Sequence, residues 1–231
     1  MSDFDAEAND GLRIDIVSDV MCPWCYVGKR RLETALASVP DIPVTVEWHP
    51  FQLDPTLPKE GKDRRQYLIE KFGGPEQAAT VYQRIVEAGE TEDIAFAFDK
   101  ITRSPNTLNA HRLIRWAGIE NVQDKVVERL FQLYFLEGAD LTDDSVLVEA
   151  GTAAGMDGEM VARLLATDAD LAETEAEVAR AQTMGVTGVP CFILDRKYVV
   201  SGAQPAHILA SAIRQVEEAR QTGTDLTAQP H

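Results

Sequence analysis

The sequence is poor in cysteine and lacks long apolar runs, and each shortage excludes a class of protein. Three cysteines among 231 residues are too few to cross-link a secreted scaffold of this length. No apolar run approaches the roughly 20 residues that a membrane-spanning helix needs. Hydrophobic residues make up 45% of the chain and charged residues 26%, the proportions of a globular domain. The composition therefore predicts one large domain, or one domain that carries an insertion.

Basic residues are scarce relative to acidic ones. Lysine and arginine total 22 against 38 aspartates and glutamates, which gives a net charge of −16. A field of this sign repels phosphate groups, so we expect neither a nucleic acid nor a membrane surface as a partner. The first ten residues hold four acidic residues and no basic one, unlike the start of a signal peptide, so we expect a cytoplasmic protein.

The first 50 residues have the pattern of a strand–helix–strand unit. Residues 13–19 alternate apolar and polar side chains as a strand does, and residues 44–49 repeat that pattern. Between them, apolar residues recur at helical spacing until two prolines stop the pattern. A unit of this length predicts two parallel strands joined by a right-handed crossover.

The rest of the chain is mostly helical until strands return near its end. Nearly every segment from about 63 to 185 has helical periodicity. Two short strands at 191–194 and 198–201 are separated by a turn, which indicates an antiparallel hairpin, and a last amphipathic helix runs from about 205 to 220. This order predicts an α/β fold with one mixed central sheet and a large all-helical insertion.

Cys22 and Cys25 lie where the first strand gives way to the first helix. A zinc site would need a second pair of ligands, and the remaining cysteine and the histidines are not paired in sequence, so we expect no metal. The spacing alone leaves open two buried structural thiols or a redox-active dithiol. The position favours the dithiol, because the N–H groups and the dipole at a helix N-terminus stabilise a thiolate.

The order of the motif predicts a role for each of its residues. Pro23 suits the first helical turn because its missing N–H would have no partner there, and we also expect it to contact the substrate. Cys22 would attack a substrate disulfide, and Cys25, one turn further along the helix, would resolve the mixed disulfide. A glycine-rich turn at 185–190 ends in Pro190 immediately before a strand, a position that is compatible with a cis peptide bond.

Four motifs in this order resemble the DsbA-like thioredoxin-fold proteins of the FrnE branch, and the similarity extends over about 12–220. The motifs are Cys22-Pro-Trp-Cys-Tyr-Val-Gly-Lys29, Trp48-His-Pro-Phe-Gln-Leu53, Asn106-Thr-Leu-Asn-Ala-His-Arg112 and Gly185-Val-Thr-Gly-Val-Pro190. The resemblance implies thiol–disulfide oxidoreductase activity on disulfide-containing proteins or small thiols. It implies no dissociable cofactor beyond the redox-active Cys22–Cys25 disulfide, with glutathione as a candidate reductant.

The resemblance also implies how the chain is divided into domains and where the proline loop lies. Residues 11–54 and 170–221 would form the thioredoxin-like domain, and residues 55–169 a helical insertion domain that caps the active site. Val189–Pro190 would be cis, would pack against the two sulfurs and would pair through the backbone of Val189 with an extended substrate peptide. Periplasmic DsbA proteins carry an export signal and a histidine between the cysteines. Neither is found here, so we expect a cytosolic reductase or isomerase, as a monomer or a homodimer.

Four further residues near these motifs each have two interpretations. His49 is either a cation that tunes Cys22 or a packing residue, and His111 either faces the cleft or braces the insertion. Cys191 is either the buried start of a strand or a third thiol that exchanges with the dithiol. Trp24 either forms an apolar rim for the substrate or packs locally.

Two other functions remain open. The kappa-type glutathione transferases and 2-hydroxychromene-2-carboxylate isomerases are similar in layout, but they place serine at the position of Cys22 and activate glutathione. A non-enzymatic binding or holdase module would instead use the thiols together with the acidic face of the helices. Reduction of insulin disulfides by the wild type and by a Cys22→Ser variant separates the three.

Overall fold

The computed structural model describes residues 11–226 and has a four-stranded mixed sheet at its centre. The strands are β1 (Leu12–Ser18), β2 (Val44–Pro50), β3 (Lys62–Asp63), β4 (Arg103–Ser104), β5 (Cys191–Leu194) and β6 (Tyr198–Ser201). In the main sheet the order is β2-β1-β5-β6; β1 is parallel to β2, and the other two pairs are antiparallel. The predicted parallel unit, hairpin and mixed sheet are confirmed. Residues 1–10, on which the localisation prediction partly rests, lie outside the described part of the chain.

Helices make up most of the remaining chain. They are α1 (Pro23–Ala37), α2 (Arg64–Phe72), α3 (Pro75–Glu90), α4 (Leu108–Ile119), α5 (Gln123–Gln132), α6 (Asp144–Ala154), α7 (Gly158–Leu165), α8 (Leu171–Thr183) and α9 (Ala206–Thr222). A 3-10 turn lies at Phe98–Lys100, and a π-helical turn at Leu133–Glu137 continues α5. Within residues 11–226, no helix is both long and apolar enough to cross a membrane.

Alternation along the strands divides the main sheet into two faces. Ile16 of β1 and Phe192 of β5 belong to the main hydrophobic core, which includes the buried side of α1; we call this the front face. Val17 and Cys191 belong to a smaller cluster with Ala181 of α8, which we call the back face. Neighbours in sequence, such as Cys191 and Phe192, therefore face opposite sides of the sheet.

The segment between β2 and β5 is helical, as predicted, but it is not all-helical. Strands β3 and β4 form an antiparallel ladder in which Lys62 lies opposite Ser104 and Asp63 opposite Arg103. Two residues are too few to show an alternating pattern, so the sequence could not predict this ladder. The boundaries of a separate insertion domain at 55–169 stay a prediction.

Aromatic and ionic contacts attach the insertion to α1. Tyr26 of α1 stacks on Phe131 of α5 with ring centroids 5.0 Å apart. The buried ammonium group of Lys29 lies 3.2 Å from Asp124 and 3.3 Å from Glu128, both on α5. Separating a buried charge from its partners is costly, so these contacts fix α1, and with it the cysteine motif, against the insertion.

Candidate active site

Helix α1 begins at the cysteine motif, where the sequence predicts it. Pro23 is its first residue, and Cys22 is the N-cap, with φ −91° and ψ 110°. The amide of Cys25 donates to the carbonyl of Cys22 at 3.0 Å, and no side chain caps the helix. The first turn of α1 also lacks an acidic residue, so the positive end of the helix dipole is not neutralised beside Cys22.

The two residues between the cysteines differ in exposure. Pro23 is buried at the start of the helix, which gives it a structural role, and a contact between Pro23 and the substrate stays a prediction. Trp24 is half-buried and packs against the main core. Part of the Trp24 ring therefore remains open for an apolar contact with a substrate.

Both thiols of the motif are buried, Cys25 more completely than Cys22. Cys22 is 4% exposed and Cys25 1%, and neither forms a disulfide in the structure. Burial raises the pKa of Cys25 well above its ordinary value, and Cys22 raises it further, against hydrogen bonds from Ser18 and the amide of Asp19. A thiol of this kind stays protonated at neutral pH, which suits a second, resolving step better than the first attack.

The loop before β5 reaches the dithiol. The Val189–Pro190 peptide bond is cis, and the thiol of Cys22 donates to the carbonyl oxygen of Val189 at 3.6 Å. Pro190 also packs closely on Gly28 of α1, where a Cβ atom would lie 2.8 Å from the proline ring. Residues 185–188 are mostly exposed, and Val189, which is half-buried, lies at the end of this exposed segment beside Cys22.

Two of the sequence motifs meet each other in the structure. The side-chain amide of Gln52, just after β2, donates to Asn106 at 3.1 Å. Asn106 in turn donates to the carbonyl of Leu57 at 2.7 Å and accepts from the amide of Leu108 at the start of α4. These hydrogen bonds hold α4 against the segment that follows β2.

His111 lies in this same connection. Its Nε2 atom is 2.9 Å from the carbonyl oxygen of Phe51 and 3.5 Å from the carboxylate of Asp19. Asp19 is fully buried three residues before Cys22, and its other oxygen accepts from the amide of Leu53 at 2.7 Å. The contacts favour the bracing interpretation of His111. We did not predict Asp19 from the sequence, although an acidic residue between a buried strand and a helix was a signal.

His49 and Cys191 lie on the back face, away from the dithiol. Both are opposite Val17 in the strands next to β1, so the sheet separates their side chains from α1. His49 is 2.7 Å from the carboxylate of Asp15, and Cys191 packs in the small cluster that contains Val17. This placement argues against His49 as a cation that tunes Cys22 and against Cys191 as a third exchanging thiol.

Among residues 11–226, Asp15, Glu47 and His49 form the group whose side chains are close enough to share a metal ion. The guanidinium of Arg13 already lies between the two carboxylates, 2.6 Å from each. Burial alone would raise the pKa of Asp15, but hydrogen bonds from His49 and Arg13 lower it to about 2. The group is an ion-pair network on the back face, and we assign it no metal.

A dithiol at the start of a helix, beside a proline loop and on a mixed four-stranded sheet, is the arrangement of a thioredoxin-like domain. The sequence matches the DSBA-like thioredoxin domain over residues 13–214. The chain belongs to that family.

Similar proteins span nearly the whole chain. A probable DsbA oxidoreductase from Streptomyces coelicolor is 36% identical, with a TM-score of 0.80 and 90% of each chain covered. YwbO of Bacillus subtilis (strain 168) is 26% identical over 208 residues, which are 87% of this chain and 96% of YwbO. The cytosolic disulfide reductase DsbM of Pseudomonas aeruginosa, solved with GSH, is 18% identical, with a TM-score of 0.62 over 91% of this chain and 99% of DsbM. This last similarity shows the fold alone.

Proposed function

We propose that the protein is a thiol–disulfide oxidoreductase in which Cys22 is the nucleophile and Cys25 the resolving thiol. The observation that carries the proposal is the position of Cys22 at the uncapped N-terminus of α1, in contact with the carbonyl of Val189. Membership of the DSBA-like family supports the same type of reaction.

In the first step the thiolate of Cys22 attacks one sulfur of the substrate disulfide. A bond forms between Cys22 and that sulfur, while the substrate disulfide breaks and its other sulfur leaves with the electron pair and takes up a proton. The positive end of the α1 dipole, which no side chain caps, favours the thiolate before the attack. The product is a mixed disulfide.

In the second step Cys25 releases the substrate. Burial and the neighbouring Cys22 raise the pKa of Cys25, and the contribution of Cys22 disappears once its sulfur is bonded to the substrate. Cys25 then loses its proton and attacks the sulfur of Cys22, which expels the second substrate thiol. Two electrons have passed to the substrate, and the protein holds a Cys22–Cys25 disulfide.

The loop before β5 is the proposed docking element. An extended peptide would add to the backbone at Val189 as a short strand, next to Pro190, which brings a disulfide in the peptide to Cys22. The open part of Trp24 offers an apolar contact beside it. Proteins with accessible disulfides and small disulfides both fit such a site.

We place the reaction in the reductase or isomerase direction, in the cytoplasm. A small thiol such as glutathione would regenerate the dithiol, with two thiols oxidised to one disulfide. The shared fold with a cytosolic disulfide reductase solved with GSH makes glutathione the reductant to test first. These steps use no dissociable cofactor.

Reduction of insulin with glutathione as the electron source tests the proposal. We expect the wild type to accelerate precipitation of the insulin B chain and Cys22→Ser to fall to the uncatalysed rate. Glutathione conjugation that survives in Cys22→Ser would support a kappa-type transferase instead, and no turnover by either protein would support a binding module. Both of those results contradict the proposal.

A further inference from the structure

Strand β2 is an edge strand of the main sheet, so one side of its backbone has no neighbouring strand. Just before β2, the carbonyl of Pro43 accepts from the amide of Leu12 at 2.8 Å. Just after it, the amide of Phe51 donates to the carbonyl of Ser18 at 3.0 Å. Bonds to one neighbouring strand come from alternate residues, so the odd-numbered residues of β2 bond β1. The N–H and C=O groups of its even-numbered residues therefore point outward.

Two of the four outward-facing positions are closed by the chain itself. The side-chain amide of Gln123 bonds both backbone groups of Trp48: its oxygen accepts from the amide at 2.8 Å, and its nitrogen donates to the carbonyl at 3.1 Å. This pair of bonds replaces those that a neighbouring strand would make. Pro50 has no N–H, so its outward side offers no donor. The second half of β2 therefore has no use for a further strand.

The other two outward-facing positions, Val44 and Val46, are open. Within residues 11–226, no hydrogen bond reaches the outward N–H or C=O of either residue. Both residues are half-buried, and Val46 lines the cavity that also contains Ile119 of α4. An unpaired strand edge is a template on which another extended segment can add, because the added segment satisfies these groups.

The side chains beside this edge differ on its two sides. Val46 packs against the apolar core on the front face, whereas Glu47 lies on the back face and is 44% exposed. Ile119, which is 79% exposed at the end of α4, adds apolar surface in the cavity. A segment that pairs here would place apolar side chains beside Val46 and meet a carboxylate on the opposite side.

The charge around the edge favours a basic partner. Arg13 of β1 is shared between Glu47 and Asp15, so these three side chains keep a net negative charge. The whole chain carries −16, which attracts a basic segment and opposes the approach of a second copy of this chain.

We propose that the open edge of β2, at Val44 and Val46, binds an extended segment of a partner protein as an added strand. The segment would carry apolar residues on one side and basic residues on the other. The edge lies away from the dithiol, because Val44 is opposite Leu12 at the start of β1 and Cys22 follows the end of that strand. The inference is therefore independent of the proposed function.

Fluorescence anisotropy of a labelled heptapeptide in which lysine and valine alternate tests the inference on the full-length protein. Strand pairing would put its valines on one side and its lysines on the other. We expect saturable binding to the wild type. The same peptide with glutamate in place of lysine should bind at least about tenfold more weakly. Equal binding of the two peptides, or no binding of the basic one, overturns the inference.

A proline at position 46 tests the edge itself. Val46→Pro removes the outward N–H and keeps the inward bonds of the residues on either side, and edge strands tolerate such a proline. We expect it to weaken binding of the lysine–valine peptide about tenfold. Unchanged binding of the peptide to Val46→Pro overturns the inference.

Val199→Pro is the matched control on the opposite edge of the sheet. The amide of Gly202 donates to the carbonyl of Pro190 at 2.8 Å, so the register of β5 and β6 turns the N–H of Val199 outward. Strand β6 has only four residues, and we expect Val199→Pro to bind the peptide within about twofold of the wild type. Equal weakening in both proline variants would mean that the peptide does not select β2, and overturns the inference.

Amide hydrogen exchange of the wild type decides the matter even if Val46→Pro does not fold. With the peptide bound, we expect the amide of Val46 to exchange at least about tenfold more slowly, and that of Thr45, which bonds β1, to change less than about twofold. No protection at Val46 overturns the inference.

Sedimentation without the peptide identifies the occupant of the edge. We expect the wild type and Val46→Pro to have the same association state. A wild-type dimer that Val46→Pro dissociates would place a second copy on the edge and overturn the inference.

Discussion

The front and back faces of the central sheet carry different chemistry on alternate residues of the same strand. On the front, Ile14 and Ile16 lie in an apolar core beneath α1, and the dithiol stands at the start of that helix. On the back, Arg13, Asp15 and His49 form an ion-pair network beside a cavity of about 980 Å³. The front face of the sheet is lined by apolar side chains, whereas the back face presents charged and partly exposed side chains.

This difference decides which residues can take part in disulfide exchange. Electrostatic effects on a thiol are strong where the surroundings are buried and of low dielectric, as they are around α1. His49 and Cys191 have suitable side chains, but both lie opposite Val17 and so face the other side of the sheet. Side-chain direction, and not chemical type, separates Cys22 and Cys25, the proposed reactive cysteines, from the remaining candidates.

The largest expected effect compares one thiol from each face. Cys25→Ala leaves Cys22 able to form a mixed disulfide that nothing resolves, so insulin turnover should fall close to the uncatalysed rate. Cys191→Ala should keep the rate within about twofold, because the sheet separates it from the reaction. Mass spectrometry after incubation with glutathione disulfide should find one glutathione on Cys22 in the Cys25→Ala protein. Equally low turnover in Cys191→Ala would bring the third thiol into the exchange and end the distinction between the faces.

Much of the fold could be predicted because the sequence patterns that indicate it each lie within a few neighbouring residues. β1 alternates apolar and polar residues from Leu12 to Ile16, and β5 and β6 have the bounds that the sequence predicts. The start of α1 follows from a proline directly after Cys22, which no helix interior would tolerate. The same local signals place the dithiol at the helix N-terminus.

The rest of the candidate site depends on strand register and on contacts between distant segments. The register that sets His49 and Cys191 opposite Val17 is not visible in a single sequence, so their orientation could not be foreseen. The contact between Asp19, directly after β1, and His111 of α4 joins segments that are far apart in sequence, and only the packed structure shows it. Local patterns thus predicted the position of Cys22 at the start of a helix, whereas only the folded structure shows which side chains surround it.

A smaller effect, on stability, is expected when one glycine on each side of the central sheet is replaced by alanine. A Cβ atom at Gly28 would lie 2.8 Å from the ring of Pro190, and 3.3 Å from Phe192, so Gly28→Ala must push α1 from the proline loop. We expect a loss of about 1–3 kcal/mol in the free energy of unfolding. Gly118→Ala, near the end of α4 and lining the back cavity, meets only the Gln123 amide, at 3.3 Å, and should cost less than Gly28→Ala because the helix propensity of alanine offsets the small shift that the amide must make. Urea unfolding measures both; equal stabilities would show that the proline contact imposes no constraint.

The smallest effect concerns the ion-pair network of the back face. Asp15 has a pKa of about 2 in the folded protein against 3.8 ordinarily, so its carboxylate stabilises the fold above about pH 4, and this contribution is lost as the pH falls toward 2. Because Arg13 and His49 are one-third exposed, we expect about 1 kcal/mol. Urea unfolding between pH 2 and 5 should show that the free energy of unfolding of Asp15→Asn depends less on pH than that of the wild type. The equilibrium constant between the protein dithiol and glutathione disulfide should be unchanged. A shift in that equilibrium would mean that charge on the back face reaches Cys22 through the sheet, and that the two faces do not act independently.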